Sequence, residues 1–320
     1  MSERKDFMWT YLIHLGCNMW NEEGNTRGRE HRSNTNAFPV LQFDRALWDT
    51  HTEQLRQSGV NTLIIDLGEA MLYESHPELA VEGSWSHAQI IAELERLRAM
   101  GFEVVPKLNF SATHDVWLKD YSRMLSTPIY YQVCRDLISE VCSVFKPKYF
   151  HIGMDEETYQ YQDKFDYVVV RQNDLWWHDF YYLVDCVERE NVRAWIWSDY
   201  IWNHPDVFLA KMPKTVLQSN WYYSRFFDKP DERVGLRSFD LLDKHGYDQI
   251  PTGSVWSSST NFEDLTKYCA EHVSGEHLLG MMQTTWERVD KGWFHMHTEA
   301  ADRLAAAKKW YESQSKQIIE

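Results

Sequence analysis

Apolar and polar positions switch along this chain between a period of two and a period of about 3.6, the repeats of a strand and of an amphipathic helix. Met8 to Trp20 opens with a β-rich apolar run, and Phe43 to Gly59 carries Leu47, Trp48, His51 and Leu55 at helical spacing before Gly59 closes the helix. Asn61 to Leu67 reads as a second strand, and Ser86-x-x-Gln89 as a capping box opening a helix that runs to Gly101. Glu103 to Phe110 is a third strand; Thr127-Pro128 supplies a cap and a first-turn proline for a helix through Phe145, which Pro147 stops. The same reading gives strands at Tyr149 to Asp155, Arg193 to Ser198, Thr215 to Trp221, Ile250 to Trp256 and Leu278 to Trp286. Between them lie helices at Asp174 to Asn191, near Asp206 to Met212, up to Gly246 and after a Thr260-x-x-Glu263 cap, with a closing helix at Glu299 to Tyr311. Strands alternating with helices without a compositional break predict an α/β chain forming a single (β/α)8 TIM barrel over residues 1–320. The polar, Arg-rich stretch Asn21 to Asn36 falls after strand one, where a barrel places an active-site loop.

Charge narrows the partners. The 320 residues include 33 Lys and Arg against 48 Asp and Glu, a net charge of −15, which disfavours nucleic acid and anionic membrane. No apolar run approaches the ~20 residues of a membrane span, and no secretory apolar segment follows the first residues, so a cytoplasmic chain is expected. Cys17, Cys134, Cys142, Cys186 and Cys269 are scattered and form no Cys-x-x-Cys pair, which reads as isolated thiols and not as a disulfide framework or a zinc site. Fifteen Trp, 17 Tyr and 15 Phe make up 15% of the chain, and flat rings suit stacking on the C–H faces of sugars.

In a barrel the reactive groups gather at the C-terminal strand ends. Those ends carry Cys17, Asn18 and Trp20; Asp66 and Glu69; Asn109 and His114; Asp155 and Glu156; Trp197 and Asp199; Gln218, Trp221 and Tyr222; Trp256; and Trp286 and Glu287. Rings to stack on and carboxylates to bind hydroxyls or protonate a glycosidic oxygen are the vocabulary of a sugar site. The richest segment is Phe150-His151-Ile152-Gly153-Met154-Asp155-Glu156-Glu157. Alternation puts His151, Gly153 and Asp155 on the barrel side and Ile152 and Met154 on the helix side, so Glu156 joins Asp155 in one pocket only where the chain leaves the ladder near Glu156.

His-x-Gly-x-Asp-Glu at the end of strand four resembles the His-x-Gly-Gly-Asp-Glu signature of family 20 glycoside hydrolases, the β-N-acetylhexosaminidases. Arg193 to Asp199, Gln218 to Tyr222, Trp286-Glu287 and Pro106 to His114 are similar to further strand-end segments of that family, in the same order. The resemblance implies a retaining, substrate-assisted hydrolysis of terminal GlcNAc or GalNAc. It casts Glu156 as general acid and base, and Asp155 as the group that orients the 2-acetamido nucleophile. Tyr222 then bonds the acetamido oxygen, Trp197, Trp221, Trp256 and Trp286 form walls, Glu287 holds distal hydroxyls, His151 supports the acids, and His114 is counted among the substrate-binding residues. An amino-sugar glycoside is the implied partner, with no cofactor and no metal.

The chain also departs from the family pattern. Its strand one lacks the family's arginine, for which Arg27, Arg29 or Arg32 of the following loop are the candidate substitutes. Ser224 stands where an acid is usual, Trp286 directly precedes Glu287, and Met154 replaces the second glycine. Two other readings compete. A non-hydrolytic glycan-binding barrel would keep Asp155 and Glu156 for structure alone, and a metal site from His14, Asp66, His114, His151 and Asp155 would need a second strand-one histidine, which Leu12 to Leu15 does not offer. His295 and His297 read as surface or capping histidines, and Trp176 and Trp177 as packing between helix and barrel.

Overall fold

The expected alternation is present in the computed structural model, which describes residues 7–16, 36–158, 162 and 168–317. The strands are β1 (Met8–His14), β2 (Thr62–Asp66), β3 (Glu103–Lys107), β4 (Tyr149–His151), β5 (Arg193–Trp197), β6 (Leu217–Ser219), β7 (Thr252–Ser254) and β8 (Gly280–Thr284). Between and after them come α1 (Arg45–Ser58), α2 (His87–Ala99), α3 (Pro128–Phe145), α4 (Asn173–Arg189), α5 (Tyr200–Asn203), α6 (Pro205–Lys211), α7 (Val234–Lys244), α8 (Asn261–His272) and α9 (Phe294–Gln317). The strands pair in parallel in the order β6-β5-β4-β3-β2-β1-β8-β7. The seam from β6 to β7 is bridged by backbone bonds, Ile250 N–H to Gln218 O at 2.9 Å and Thr252 N–H to Asn220 O at 2.9 Å, which complete the barrel.

Two apolar clusters follow from this geometry. The inner one, inside the barrel, contains Leu12, Ile64, Val105, Trp195, Trp197, Leu217, Trp221, Ile250 and Met282. The larger outer one lies between strands and helices and takes the opposite strand faces, for example Tyr11, Ile13, Leu63 and Ile65. Trp176 and Trp177 of α4 are buried there, as packing residues.

Several boundaries show why local signals work. Ser86 and Gln89 form both bonds of a capping box, Thr127 accepts from the Tyr130 amide, and Gly59 ends α1 in the left-handed region. Thr260 does not behave as expected: its backbone is already helical and its side chain makes no capping bond, so the cap motif there marks the helix without forming. β4, β6 and β7 are shorter than the apolar runs that announced them. His297 is no surface residue. It is buried beneath β8, where its ring meets the Tyr11 hydroxyl at 3.0 Å and the Arg288 carbonyl oxygen at 3.0 Å.

Cys134, Cys142, Cys186 and Cys269 are buried thiols, while Cys17 and the Asn21 to Asn36 loop up to residue 35, with Arg27, Arg29 and Arg32, lie outside the described residues. Among the described residues no helix is long and apolar enough to cross a membrane.

Candidate active site

The end of β4 is where backbone geometry creates the site. Backbone bonds continue past the strand as Ile152 N–H to Trp195 O at 2.9 Å and Trp197 N–H to Gly153 O at 3.1 Å, and then the chain turns out of the ladder. Gly153, Met154 and Glu156 all adopt positive φ, at 73°, 73° and 53°. Gly153 has a second reason to be glycine, since a Cβ there would sit 2.0 Å from Asn109 Oδ1. Met154 points into the outer core, as alternation requires, yet its left-handed backbone explains why a glycine would be at ease in its place.

Side chains from the segments that follow β3 and β5 clamp this bend. Asn109 Oδ1 accepts the Met154 amide at 3.2 Å, Ser111 Oγ donates to the Asp155 carbonyl at 2.5 Å, and Thr113 Oγ1 donates to the Glu156 carbonyl at 2.8 Å. The Glu156 amide donates to Asp199 Oδ2 at 2.8 Å. Glu157, the third acid of the triplet, is drawn away from the pocket into a buried pair with Arg171, at 2.8 Å.

The two remaining acids share one imidazole. His114 Nε2 lies 3.2 Å from Asp155 Oδ2 and 3.4 Å from Glu156 Oε2. Asp155 Oδ1 accepts from Asn109 Nδ2 at 2.7 Å, so both of its oxygens are engaged. Burial alone would raise the Asp155 carboxyl, but the charge and bond of His114, with Lys107 and Asn109, hold it down at about 2. Burial would likewise lower His114, and the two carboxylates raise it to about 9. The pair is therefore an ionised Asp155 against an imidazolium, with the Glu156 side chain, 24% exposed, opening toward the pocket. His114, Asp155 and Glu156 each offer a ligand atom within 4.8 Å of the others, and they could hold a divalent cation only by giving up the His114 proton.

Below the acids, β1 to β4 place four polar residues in register: His14 opposite Asp66, Asp66 opposite Lys107, and Lys107 opposite His151. Lys107 Nζ donates to Asp66 Oδ2 at 2.5 Å and His14 Nδ1 lies 3.3 Å from the same oxygen. Burial opposes ionisation of Asp66, but the Lys107 charge and His14 keep its carboxyl well below the usual range. His151 is held neutral by burial and by the Lys107 charge, and its Nδ1 accepts the Gly153 amide at 3.1 Å, which supports the bend from below.

Aromatic rings form the wall. Trp197 lies 4.5 Å from His151, 5.8 Å from Trp221 and 5.5 Å from Trp286 by ring centroid, and Tyr223 lies 6.4 Å from Trp286. Trp286 occurs at φ 59°, a left-handed turn at the β8 end like that at β4, and Glu287 after it is buried. Trp256 stands apart at the rim beyond β7, 45% exposed. Tyr222 is a correction: its ring packs on Phe227 and against Gly235 of the helix layer, and its hydroxyl donates to the Phe226 carbonyl. Leu217 and Trp221 face inward, so with a period of two the next inward residue is Tyr223 and not Tyr222. Tyr223 is packed beside Trp286, and burial, with the charges of Glu156 and Asp155, pushes its pKa up.

Tyr223, Lys107 and the clamp residues Ser111 and Thr113 carry no motif. Strand alternation exposes the first two, and only the fold reveals the others. A cavity of about 760 Å³ lies to one side, beside the β2 and β3 ends, with Glu69, Trp117 and Arg123 in its wall; Asp155 and Glu156 do not line it.

No protein-family model matches the sequence, and no curated protein matches it. Solved structures do share its fold. A β-N-acetylhexosaminidase from Bacteroides fragilis superposes with a TM-score of 0.65 at 14% identity, covering 98% of this chain and 70% of its own. The family 20 β-N-acetylhexosaminidase from Streptomyces coelicolor A3(2) gives 0.63 at 13% identity, covering 93% and 64%. A Vibrio harveyi family 20 exo β-N-acetylglucosaminidase, solved in complex with N-acetylglucosamine, gives 0.58 at 11% identity, covering 98% and 58%. The chain thus spans roughly three-fifths to seven-tenths of the length of these proteins and resembles their catalytic barrel.

Proposed function

We propose that this barrel is a glycoside hydrolase that removes terminal β-linked N-acetylhexosamine by a retaining, substrate-assisted reaction. The observation that carries the reading is the bend that puts Asp155 and Glu156, consecutive in sequence, in one aromatic-walled pocket around His114. One ligand atom from each of Asp155, Glu156 and His114 lies within 4.8 Å of the other two, so the acids and the imidazole act as one cluster.

In the proposed reaction Glu156 protonates the glycosidic oxygen as the acetamido carbonyl oxygen attacks the anomeric carbon. Asp155 has both oxygens occupied and stays ionised, which suits it to stabilise the positive charge that develops on the acetamido group and not to attack carbon itself. Tyr223, in place of Tyr222, directs its hydroxyl toward the acetamido oxygen. Trp197, Trp221 and Trp286 enclose the sugar, Trp256 meets the leaving group at the rim, and Glu287 binds distal hydroxyls. Water then attacks the cyclised intermediate with Glu156 as base, regenerating the acid.

A second reading, a glycosidase of altered sugar specificity, is favoured by one observation. Strand one brings the imidazole of His14 to the barrel interior, where it meets Trp286 at 5.9 Å.

The test is Glu156→Gln with substrates of graded leaving group. Turnover of alkyl β-N-acetylhexosaminides is expected to fall about 10²- to 10⁴-fold, with much smaller loss on dinitrophenyl glycosides that need no proton. Equal loss on every leaving group would remove Glu156 from the acid role.

A further inference from the structure

Glu156 can act as an acid in this pocket only while its backbone keeps a conformation that residues other than glycine seldom adopt, φ 53°. Something must over-determine that conformation. The Glu156 carbonyl is held by Thr113, but its amide, at the centre of the turn, is held by a side chain from the neighbouring strand. Resting on the hexosaminidase reading, we propose that Asp199 is a positioning residue for the general acid, its carboxyl fixing the left-handed turn at Glu156 through the Glu156 amide.

Asp199 lies two residues past the end of β5, next to the pocket wall residue Trp197, so its reach to Glu156 is set by the pairing of β4 with β5. Its Oδ2 accepts the Glu156 amide at 2.8 Å, while its Oδ1 is buried without a hydrogen-bond partner among the described residues. An ionised Asp199 would stand against the ionised Asp155. Burial, with the charges of Asp155 and Glu156, instead raises its affinity for a proton well above the usual range, and Tyr223, beyond the end of β6, faces the same cluster. A neutral Asp199 still offers a carbonyl oxygen to the amide, with its proton on the unbonded Oδ1. An asparagine can do the same, and an alanine cannot.

That difference defines the experiment. In Asp199→Ala, kcat on alkyl β-N-acetylhexosaminides is expected to fall about 10²-fold with KM little changed, and to fall far less on dinitrophenyl glycosides, because the misplaced group is the acid. Asp199→Asn is expected to stay within about threefold of the parent chain on both. Full turnover by the alanine variant, or equal damage in the asparagine variant, overturns the proposal. Amide hydrogen exchange at Glu156 reads the bond without reference to activity. Exchange about tenfold faster in the alanine variant alone supports the proposal, and the same exchange in all three chains overturns it. Should the parent chain leave every hexosaminide intact while that exchange pattern holds, the hydrolase reading fails and the hold of Asp199 on Glu156 stands.

Discussion

Tyr222 and Tyr223 are one position apart and serve opposite sides of the barrel wall. Tyr223 packs by Trp286 within the pocket, whereas the hydroxyl of Tyr222 ends on the Phe226 carbonyl among loop residues. Tyr223→Phe is therefore expected to lower kcat/KM about 10- to 10²-fold through loss of a hydrogen bond to the acetamido oxygen. Tyr222→Phe should leave kinetics within about twofold and cost about 0.5–1 kcal/mol of stability at most. Kinetics of the two variants on one aryl substrate decide it, and a larger loss in Tyr222→Phe would return the acetamido contact to Tyr222. A two-residue motif is a weaker guide here than alternation. The inward positions Leu217 and Trp221 are legible in the sequence and lead to Tyr223. Asp155 is legible by the same rule, since His151 and Asp155 share a strand face. Asn109 and Asp199 are visible as strand-end residues, but their bonds reach across 45 and 43 positions in sequence, and no local pattern reports those.

At the scale of elements, the helices are easier to read than the strand ends. A helix carries its own boundary chemistry, as Ser86 with Gln89 and Gly59 show. A strand end that lines a pocket is shaped by partners on other strands. The pairing of Asp155 with Glu156 requires a bend near Glu156, and Gly153 is a visible sign of it. Met154 and Trp286 give no such sign, since methionine and tryptophan avoid the left-handed region unless neighbours hold them there. Thr260 shows the converse, a cap signal that marks the start of α8 while the capping bond itself is absent. The buried Asn261 next to it ties loops together instead, accepting the Ser254 amide at 3.0 Å and donating to the Tyr222 and Ser224 carbonyls at 2.9 Å each.

At the scale of the whole molecule, the order of eight βα units is legible because a parallel barrel leaves a simple alternation in the sequence, and each crossover has only one favoured hand. The charge arrangement inside the barrel is not legible, as it joins residues from separate strands. It has a consequence for stability. His114 holds its proton up to about 9 in the folded chain, against about 6.5 for an unperturbed histidine, so its contribution is complete below pH ~6.5 and is lost as pH rises toward 9. The melting-temperature difference between the parent chain and His114→Gln is thus expected to be largest at pH 6 and to shrink steadily by pH 9. A gap that widens over this range would contradict the charge assignment of the His114–Asp155 pair.

The central claim is that the substrate's own acetamido oxygen is the nucleophile, and one measurement addresses it directly. Rates are compared for 4-nitrophenyl β-glucosaminides whose N-acyl group is acetyl, fluoroacetyl, difluoroacetyl or trifluoroacetyl. Fluorine withdraws electron density from the carbonyl oxygen while leaving the leaving group unchanged. Anchimeric attack makes kcat/KM fall at each step, by about a hundredfold or more across the series. A flat series would contradict attack by the acetamido oxygen, and with it the stabilising role of Asp155.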